Sequence, residues 1–308
     1  MSRTAAATAT ATATATTHGD APPRAAAPAK TAAPAKTAAV EAPLRFIRPQ
    51  AAKPYFHSSA LTGGAPKIFF ETEDLTVTIG DMRAIANTLS LDREGFELVA
   101  HETAVDDLYD DAAVERDYYP EIEALLRARL GASRVVVFDA TRRADNPAGA
   151  RNPDGARGPA DRVHVDYTLK SGPQRTADIL GEEEFERLTQ AGARIVQINV
   201  WRPITGPVVR SPLALADASS VAADELVATD QVFPDRTGEI FMVAHGPNQR
   251  WYYAPRIDRD EVILIKGWDS LDDGRARFTP HGAFPHPRTP EDAPPRESIE
   301  VRTLVVIE

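Results

Sequence analysis

The sequence contains no cysteine, and this absence excludes disulfides, thiolate metal sites and cysteine nucleophiles together. It also lacks any run approaching the ~18 consecutive apolar residues of a membrane-spanning helix. The formal net charge of −10 is the opposite of the basic balance that nucleic-acid-binding proteins usually show. We therefore expect a cytoplasmic protein that acts on a small-molecule substrate, with no nucleic-acid partner and no membrane partner.

Large apolar side chains are nearly missing from the first forty residues, which form an Ala/Thr/Pro-rich tract. Such a segment cannot bury enough apolar surface to offset the entropy lost on ordering. It also has no apolar core of a secretory signal. We expect residues 1–42 to be a disordered tail and residues 43–308 to form a single domain, which is long enough to bury a sizeable core.

Helical signals are concentrated in two segments of that domain. The apolar positions from Ile122 to Leu130 have helical spacing, and Gly131 is placed to end the helix. Residues 174–191 carry a second helical pattern with acidic residues near its start, which suits the helix dipole. Both patterns are typical of scaffold helices that cover a sheet.

Strand signals are more numerous than helical ones. β-branched and aromatic residues predict strands at 68–80, 96–100 and 133–141, and several short strands with turn-rich spacers follow from residue 194. This pattern of many short strands and few helices predicts an α+β fold, a β-sandwich or barrel with covering helices. The Pro-, Gly- and Arg-rich segment 142–162 is either a lid that closes over an anionic substrate or a solvated loop.

One short motif raises the question of a metal. His164 and Asp166 alternate with Val163 and Val165, so the two polar side chains share one face of a predicted strand. The spacing alone is weak evidence, because a second His-x-Asp begins at His18 in the tail. If the face points into a cavity, the pair can bind an ion; if it points to solvent, the two are ordinary surface residues.

A third ligand has to come from another part of the chain. Two imidazoles and one carboxylate with open positions are the ligand set of non-haem Fe(II) oxygenases. Because His281 precedes an Arg-x-Ser sequence at a spacing close to that found in iron enzymes using 2-oxoglutarate, it is the preferred third ligand, with His245 in reserve. The full set of candidates is His57, His101, His245, His281 and His286.

The Arg-x-Ser sequence at the start of the last predicted strand indicates a carboxylate site. Arg296 can pair with the distal carboxylate of 2-oxoglutarate as a fork, supported by the Ser298 hydroxyl. Arg302 lies on the same face of the strand and is a second candidate, unless it forms a salt bridge with Glu300. The choice between the two arginines stays open at this level.

Three residues are candidate contacts for the substrate. Trp201 and Arg202 follow a predicted strand, where the arginine can pair with a substrate carboxylate or simply end the strand. Tyr253 lies in a Trp-Tyr-Tyr run, of which at most one tyrosine faces a cavity.

Several stretches, taken in order, are similar to a known family. They include "HVDYT", "INVWRPITGPVVRSPLALAD", "RWYYAPRIDRDEVILIKGWDS" and "HGAFPHPRTPEDAPPRESIEVRTLVV". Together, over roughly residues 65–308, they resemble the AsaB-like hydroxylase/desaturase family, also called gibberellin-desaturase-like, which includes the oxygenase component of cephamycin methoxylation. The tail matches no part of the family pattern.

The resemblance implies a double-stranded β-helix (jelly-roll, cupin-like) core and a dioxygenase that uses Fe(II) and 2-oxoglutarate to hydroxylate or desaturate a small secondary metabolite. By position it supports His164, Asp166 and His281 as iron ligands and Arg296 as the cosubstrate anchor. Two alternatives remain. The same three residues can hold zinc for hydrolysis, or the chain can be an inactive relative that only binds a partner.

Overall fold

The computed structural model describes residues 39–153 and 155–308. Within these ranges the chain forms seventeen strands, which in chain order are β1 (Val40–Ile47), β2 (Tyr55–His57), β3 (Lys67–Ile68), β4 (Thr72–Asp81), β5 (Phe96–Ala100), β6 (Arg134–Ala144), β7 (Ala150–Asn152), β8 (Gly155–Arg157), β9 (His164–Val165), β10 (Arg194–Pro203), β11 (Leu213–Ala216), β12 (Leu226–Val232), β13 (Thr237–Val243), β14 (Trp251–Tyr253), β15 (Glu261–Asp269), β16 (His281–Ala283) and β17 (Glu297–Ile307).

Helices are short and mostly lie before β10. The α-helices are α1 (Ser59–Thr62), α2 (Asp111–Ala113), α3 (Tyr119–Leu130), α4 (Ser171–Leu180) and α5 (Glu182–Gln190). A π-helical turn, Val114–Tyr118, joins α2 to α3, and 3-10 turns occupy Met82–Thr88, Ala218–Ser220 and Ala223–Glu225. No helix in the described ranges is both long and apolar enough to cross a lipid bilayer.

The strands form two main sheets and one small hairpin. The larger sheet has the order β1-β4-β14-β11-β16-β9-β13-β12-β2-β3, and the smaller has the order β5-β15-β10-β17-β6. The hairpin pairs β7 with β8. The larger sheet curls back on itself, because the Val163 N–H donates to the Arg45 carbonyl at 2.9 Å and brings β1 close to β9.

The smaller sheet separates two apolar layers. Its outer face packs on the helical segment, with Tyr118 and Ile122 against Val200 and Val301. Its inner face packs on the larger sheet, where Trp201 joins the same cluster as Leu215 and Ile265. The helices α4 and α5 pack near one end of the same inner face, beside Ile195 and Leu304. The molecule is thus an α+β protein with a double-stranded β-helix core and covering helices, as expected from the sequence.

The boundary of the predicted tail needs a correction. Residues 1–38 lie outside the described residues, but the strand β1 already begins at Val40, inside the segment expected to be disordered. Val40 pairs with Ile79, and Ala42 pairs with Val77. Both Val40 and Ala42 are buried. From Val40 to Phe46 every second residue is apolar and buried, and these residues form the buried face of an edge strand.

Most of the predicted elements are confirmed, with informative differences. The helix predicted up to Gly131 ends there, because that glycine adopts φ of +64° and its N–H donates to the Arg127 carbonyl at 3.0 Å. The second helical pattern is two helices, α4 and α5, that meet at Gly181. The segment 142–162 is less irregular than expected, since β6 extends to Ala144 and the β7–β8 hairpin follows.

Candidate metal and cosubstrate site

Two histidines distant in sequence become direct neighbours in the larger sheet. The strand β9 pairs antiparallel with β16, and the register places His164 opposite His281. Cross-strand partners on one face of a sheet have adjacent side chains. The centroids of the two imidazole rings are accordingly 4.5 Å apart. Sheet register therefore creates the pair of imidazoles that the sequence could only suggest.

Asp166 completes the cluster from the end of β9. Its Oδ1 lies 3.5 Å from His164 Nε2. One ligand atom from each of His164, Asp166 and His281 lies within 4.8 Å of the other two. Val163 and Val165 are fully buried on the other side of the chain. The alternation predicted for this stretch is thus confirmed, and the polar face points into the interior.

Backbone carbonyls fix the orientation of both imidazoles. His164 Nδ1 lies 2.8 Å from the Arg162 carbonyl, and His281 Nδ1 lies 3.0 Å from the Thr279 carbonyl. A carbonyl oxygen can only accept a hydrogen bond, so in each ring Nδ1 carries the proton and donates it. In the neutral form of such a ring Nε2 keeps its lone pair, which is the usual arrangement for a metal-binding histidine.

The second oxygen of the Asp166 carboxylate is held from the facing sheet. Asn199 Nδ2 donates to Oδ2 at 2.6 Å, and Arg302 Nε lies 3.4 Å from the same oxygen. Burial alone raises the pKa of Asp166, but the neighbouring positive charges, that of Arg302 first among them, outweigh it and hold this pKa well below its usual range. The carboxylate is thus an oriented anion.

Burial has the opposite effect on the neighbouring imidazole. Only 3% of His281 is exposed, and burial together with the nearby His164 lowers the pKa of its ring. The cluster presents ligand atoms of two imidazoles and one carboxylate within 4.8 Å of one another. This donor set fits a divalent ion with open coordination positions, as in the two-histidine, one-carboxylate sites of non-haem iron enzymes.

A guanidinium group faces the same small cavity. The cavity is lined by Arg143, Ala160, His164, Trp201, Leu213, His281, Arg296 and Glu300. Arg296 is only 3% exposed, and its Nη1 donates to the Ser211 carbonyl at 2.9 Å. Within residues 39–153 and 155–308, no carboxylate lies within ion-pair distance of Arg296, and its buried Nε has no hydrogen-bond partner.

The environment of Arg296 is costly for a positive charge. Burial, and then the neighbouring Arg143, lower the pKa of Arg296 to about 10. The ring of Trp201 lies 5.7 Å from the centre of the guanidinium and partly compensates for lost solvation. A buried arginine with unused donors beside a metal-type cluster is suited to bind an anionic ligand.

Arg302 differs from Arg296 although both point to the interior. Its guanidinium donates to Asp139 at 2.5 Å and to Glu300 at 2.6 Å, in addition to the contact with Asp166. Its donors are therefore committed to protein carboxylates. Ser298 is buried on the strand between the two arginines, with Arg143 as its cross-strand partner.

The structure places the three candidate substrate contacts differently. Trp201 lines the cavity. Arg202 does not, because successive residues of a strand point to opposite faces. Its guanidinium is fully buried on the outer face, where it donates to the Tyr118 hydroxyl at 2.8 Å and to His101 Nδ1. The prediction of a substrate contact at Arg202 is therefore corrected to a structural role.

Tyr253 is also placed away from the cavity lining. It belongs to the core of the larger sheet, where its ring packs edge-on against Phe284. Its hydroxyl lies 3.2 Å from His286 Nε2. The reserve ligand His245 is exposed beside Phe46 and does not join the cluster. Neither residue contributes to the site that β9 and β16 form.

Some residues of the site carry no clear signal in the sequence. Arg143, in the segment interpreted as either a lid or a solvated loop, lies in the strand β6. It reaches the cavity while its Nη1 donates to the Gly158 carbonyl at 3.0 Å. From the sequence, Asn199 fits equally well as a polar residue of the cavity or as an ordinary strand residue, and the structure places its side chain against Asp166. Leu213 belongs to a short Leu-Ala strand that the β-branched pattern does not reveal. Only the pairing of the sheets identifies these three.

Comparisons with known proteins agree with this geometry. A family model described as an oxidoreductase/YMDC permease-like domain matches residues 44–306. The alpha-ketoglutarate-dependent dioxygenase phiK of a fungal species is 35% identical over 237 residues, which cover 75% of this chain and 83% of phiK. The hydroxylase/desaturase efuI of Hormonema carpetanum is 33% identical over 265 residues, which cover 79% of this chain and 87% of efuI.

A third relative is known both as a sequence and as a structure. The Fe(II)/2-oxoglutarate-dependent dioxygenase nvfI of Aspergillus novofumigatus is 33% identical over 276 residues, which cover 86% of this chain and 96% of nvfI. The solved structure of the iron and alpha-ketoglutarate-dependent endoperoxidase NvfI superposes with a TM-score of 0.77 at 31% identity, and covers 87% of this chain and 98% of that chain.

Proposed function

The chain belongs to the family of Fe(II)/2-oxoglutarate-dependent dioxygenases and hydroxylases/desaturases, and on that premise we propose that His164, Asp166 and His281 hold its Fe(II). The single observation that carries this assignment is the convergence of the three ligand atoms within 4.8 Å, in an arrangement where backbone carbonyls occupy Nδ1 of both histidines. The proposed activity is oxidation of a small secondary metabolite by hydroxylation or desaturation.

The chemistry itself belongs to the bound groups. When bound, Fe(II) and 2-oxoglutarate supply activation of O2, at the expense of converting 2-oxoglutarate to succinate and CO2. The protein provides the ligands, keeps the Asp166 carboxylate ionised and oriented through Asn199 and Arg302, and surrounds the site with the apolar side chains of Trp201 and Leu213. Such a wall excludes water from a reactive centre.

Arg296 is the proposed anchor for the distal carboxylate of 2-oxoglutarate. Its unused donors face the cavity that also contains the proposed metal ligands. Arg302 is a poorer candidate, because its guanidinium already binds Asp139, Glu300 and Asp166. Ser298 lies one alternation step from Arg296 on the same buried face and supports the same ligand.

Conversion of 2-oxoglutarate to succinate tests the proposal without an identified metabolite. The full chain loaded with Fe(II) should release succinate slowly from 2-oxoglutarate and O2. His164→Ala and Asp166→Ala should each lower this rate by more than about 100-fold, because loss of an outer-shell partner alone costs up to that much in metal affinity. The iron content of each purified variant should fall in parallel.

Matched control variants separate a site effect from a general one. His245→Ala removes an exposed histidine and Asp272→Ala an exposed carboxylate, and both should retain the wild-type rate and iron content. Full activity in His164→Ala would contradict the ligand assignment. Hydrolytic activity that depends on Zn(II) and not on 2-oxoglutarate would favour the alternative of a zinc hydrolase on the same residues.

A further inference from the structure

An unusual backbone conformation lies directly behind the arginine that faces the cavity. Ser211 adopts φ of +45°, in the left-handed region that glycine adopts readily and other residues avoid. It is also followed by Pro212, and a residue before proline normally prefers an extended backbone. A conformation that is unfavourable on both counts persists only where surrounding contacts impose it.

Asp145 supplies those contacts. Its Oδ2 accepts a hydrogen bond from the Ser211 hydroxyl at 2.6 Å and another from Arg210 Nε at 2.7 Å. Its side chain is only 20% exposed. Because both donors come from consecutive residues and meet at one oxygen, the carboxylate holds the Arg210–Ser211 turn from both positions.

The same turn is bonded to Arg296. The Ser211 carbonyl accepts from Arg296 Nη1 at 2.9 Å, and the Arg296 carbonyl accepts from the Asp145 N–H at 2.8 Å. Three bonds thus close a ring that passes through Asp145, Ser211 and Arg296. The backbone of Arg296 is fixed at one point of this ring and its guanidinium at another.

We propose that Asp145 is a positioning residue for the cosubstrate site: it holds Ser211 in the left-handed conformation in which the Ser211 carbonyl fixes the Arg296 guanidinium, and so strengthens binding of the 2-oxoglutarate distal carboxylate. This inference rests on the proposed role of Arg296. The direction in which the Ser211 carbonyl points depends on its backbone conformation, so release of the turn removes one of the fixed contacts of the guanidinium.

Binding of 2-oxoglutarate itself is the measurement, by calorimetric titration of the full chain loaded with Mn(II), which prevents turnover. Asp145→Ala should raise the dissociation constant for 2-oxoglutarate by about tenfold, comparable to the loss of one hydrogen bond to a charged group. Metal content should stay at the wild-type level. The exposed Asp272→Ala, which removes a carboxylate paired with Arg277, serves as the matched control and should bind as the wild type does.

Two substitutions at Ser211 give a sharper comparison. Ser211→Ala and Ser211→Gly both delete the hydroxyl that Asp145 binds, but only glycine adopts φ of +45° without that contact. Ser211→Ala should weaken binding several-fold, while Ser211→Gly should stay close to the wild type. Ser211→Gly should also restore binding in the Asp145→Ala background. A general loss of rigidity predicts the reverse order, with glycine the weaker binder.

Three results would overturn the inference. The first is wild-type affinity in both Asp145→Ala and Ser211→Ala. The second is a failure of Ser211→Gly to restore binding in Asp145→Ala. The third is tighter binding in Asp145→Ala and Asp145→Asn, because it would mean that Asp145 acts only as a negative charge that opposes the dicarboxylate. A wild-type protein that binds no 2-oxoglutarate would instead contradict the proposed function.

Discussion

Two clusters of charged residues in this molecule differ in whether their buried charges have partners of opposite sign within the cluster. The first, which we call the ionic cluster, consists of Lys266, Asp269, Arg194 and Asp92. Lys266 Nζ donates to Asp269, to Asp92 and to the Ala276 carbonyl at 2.8 to 2.9 Å, and Arg194 donates to Asp269 at 2.6 Å. The fully buried charges of this cluster all have partners of opposite sign.

The cavity site is the second cluster, and it is incomplete. Arg296 has an unused donor and no carboxylate partner in the described part of the chain, and the two histidine Nε2 atoms have free lone pairs. A complete buried cluster stabilises the fold only if it stays intact, whereas an incomplete one costs stability and is suited to a ligand. Whether the buried polar groups have partners within the protein therefore separates a structural cluster from a functional one.

The largest expected effect comes from breaking the complete cluster. Asp269→Ala leaves Lys266, which is almost fully buried, with only the half-exposed Asp92 as a counter-charge. Removal of one partner of a buried ion pair should lower the free energy of unfolding by about 3 kcal/mol. Urea unfolding at neutral pH measures this change.

The control for Asp269→Ala lies four residues further along the chain. Asp273→Ala removes an exposed carboxylate that pairs with Arg275, and it should leave the free energy of unfolding nearly unchanged. Equal effects of the two substitutions would contradict the structural role of the ionic cluster.

Removing Arg296 should weaken ligand binding without lowering the stability of the fold. Arg296→Gln should weaken binding of 2-oxoglutarate by about 100-fold, as expected for loss of a charge-assisted pair of hydrogen bonds. It should not destabilise the fold, because a guanidinium whose pKa is lowered to about 10 by burial contributes unfavourably in its charged form. Calorimetric titration and urea unfolding of the same variant measure the two effects.

Either measurement on Arg296→Gln can contradict the distinction between the two clusters. Unchanged affinity for 2-oxoglutarate would return the anchor role to Arg302, despite its three carboxylate partners. A loss of stability in Arg296→Gln as large as that in Asp269→Ala would show that the cavity site stabilises the fold as much as the ionic cluster does. The distinction between the two clusters would then be wrong.

The parts of the site that the sequence revealed are those set by local rules. Alternation placed His164 and Asp166 on one face, and the structure confirms this arrangement. The same rule shows that Trp201 and Arg202 cannot both face the cavity, but not which of them does. That choice depends on which face of β10 packs on the larger sheet, and this is a tertiary property.

The rest of the site depends on register and on backbone conformation. The pairing of His164 with His281 follows from the alignment of β9 and β16, which no short stretch of sequence encodes. The left-handed conformation of Ser211 is hidden, since serine before proline predicts an extended backbone. Among the strands, β11 gives no strand signal, because its sequence Leu-Ala-Leu-Ala contains no β-branched residue.

The smallest expected effect is a pH dependence of the ionic cluster. Burial alone raises the pKa of Asp92, but the hydrogen bonds from Arg194 and Lys266 outweigh it and lower this pKa to about 2. A carboxyl group whose pKa is lowered in the folded state stabilises the protein above its unfolded pKa, near 4, and loses that contribution as pH falls toward 2.

Asp92→Asn should therefore be less stable than the wild type at pH 5, and the difference should shrink at pH 3. Because the Asp92 side chain is 47% exposed, the effect at pH 5 should stay below about 1 kcal/mol. Urea midpoints of the two proteins at the two pH values measure it, with the exposed Asp272→Asn as a control that should show no such change. A difference that grows as the pH falls would mean that Asp92 is destabilising when charged, and the ionic cluster would then be incomplete like the cavity site.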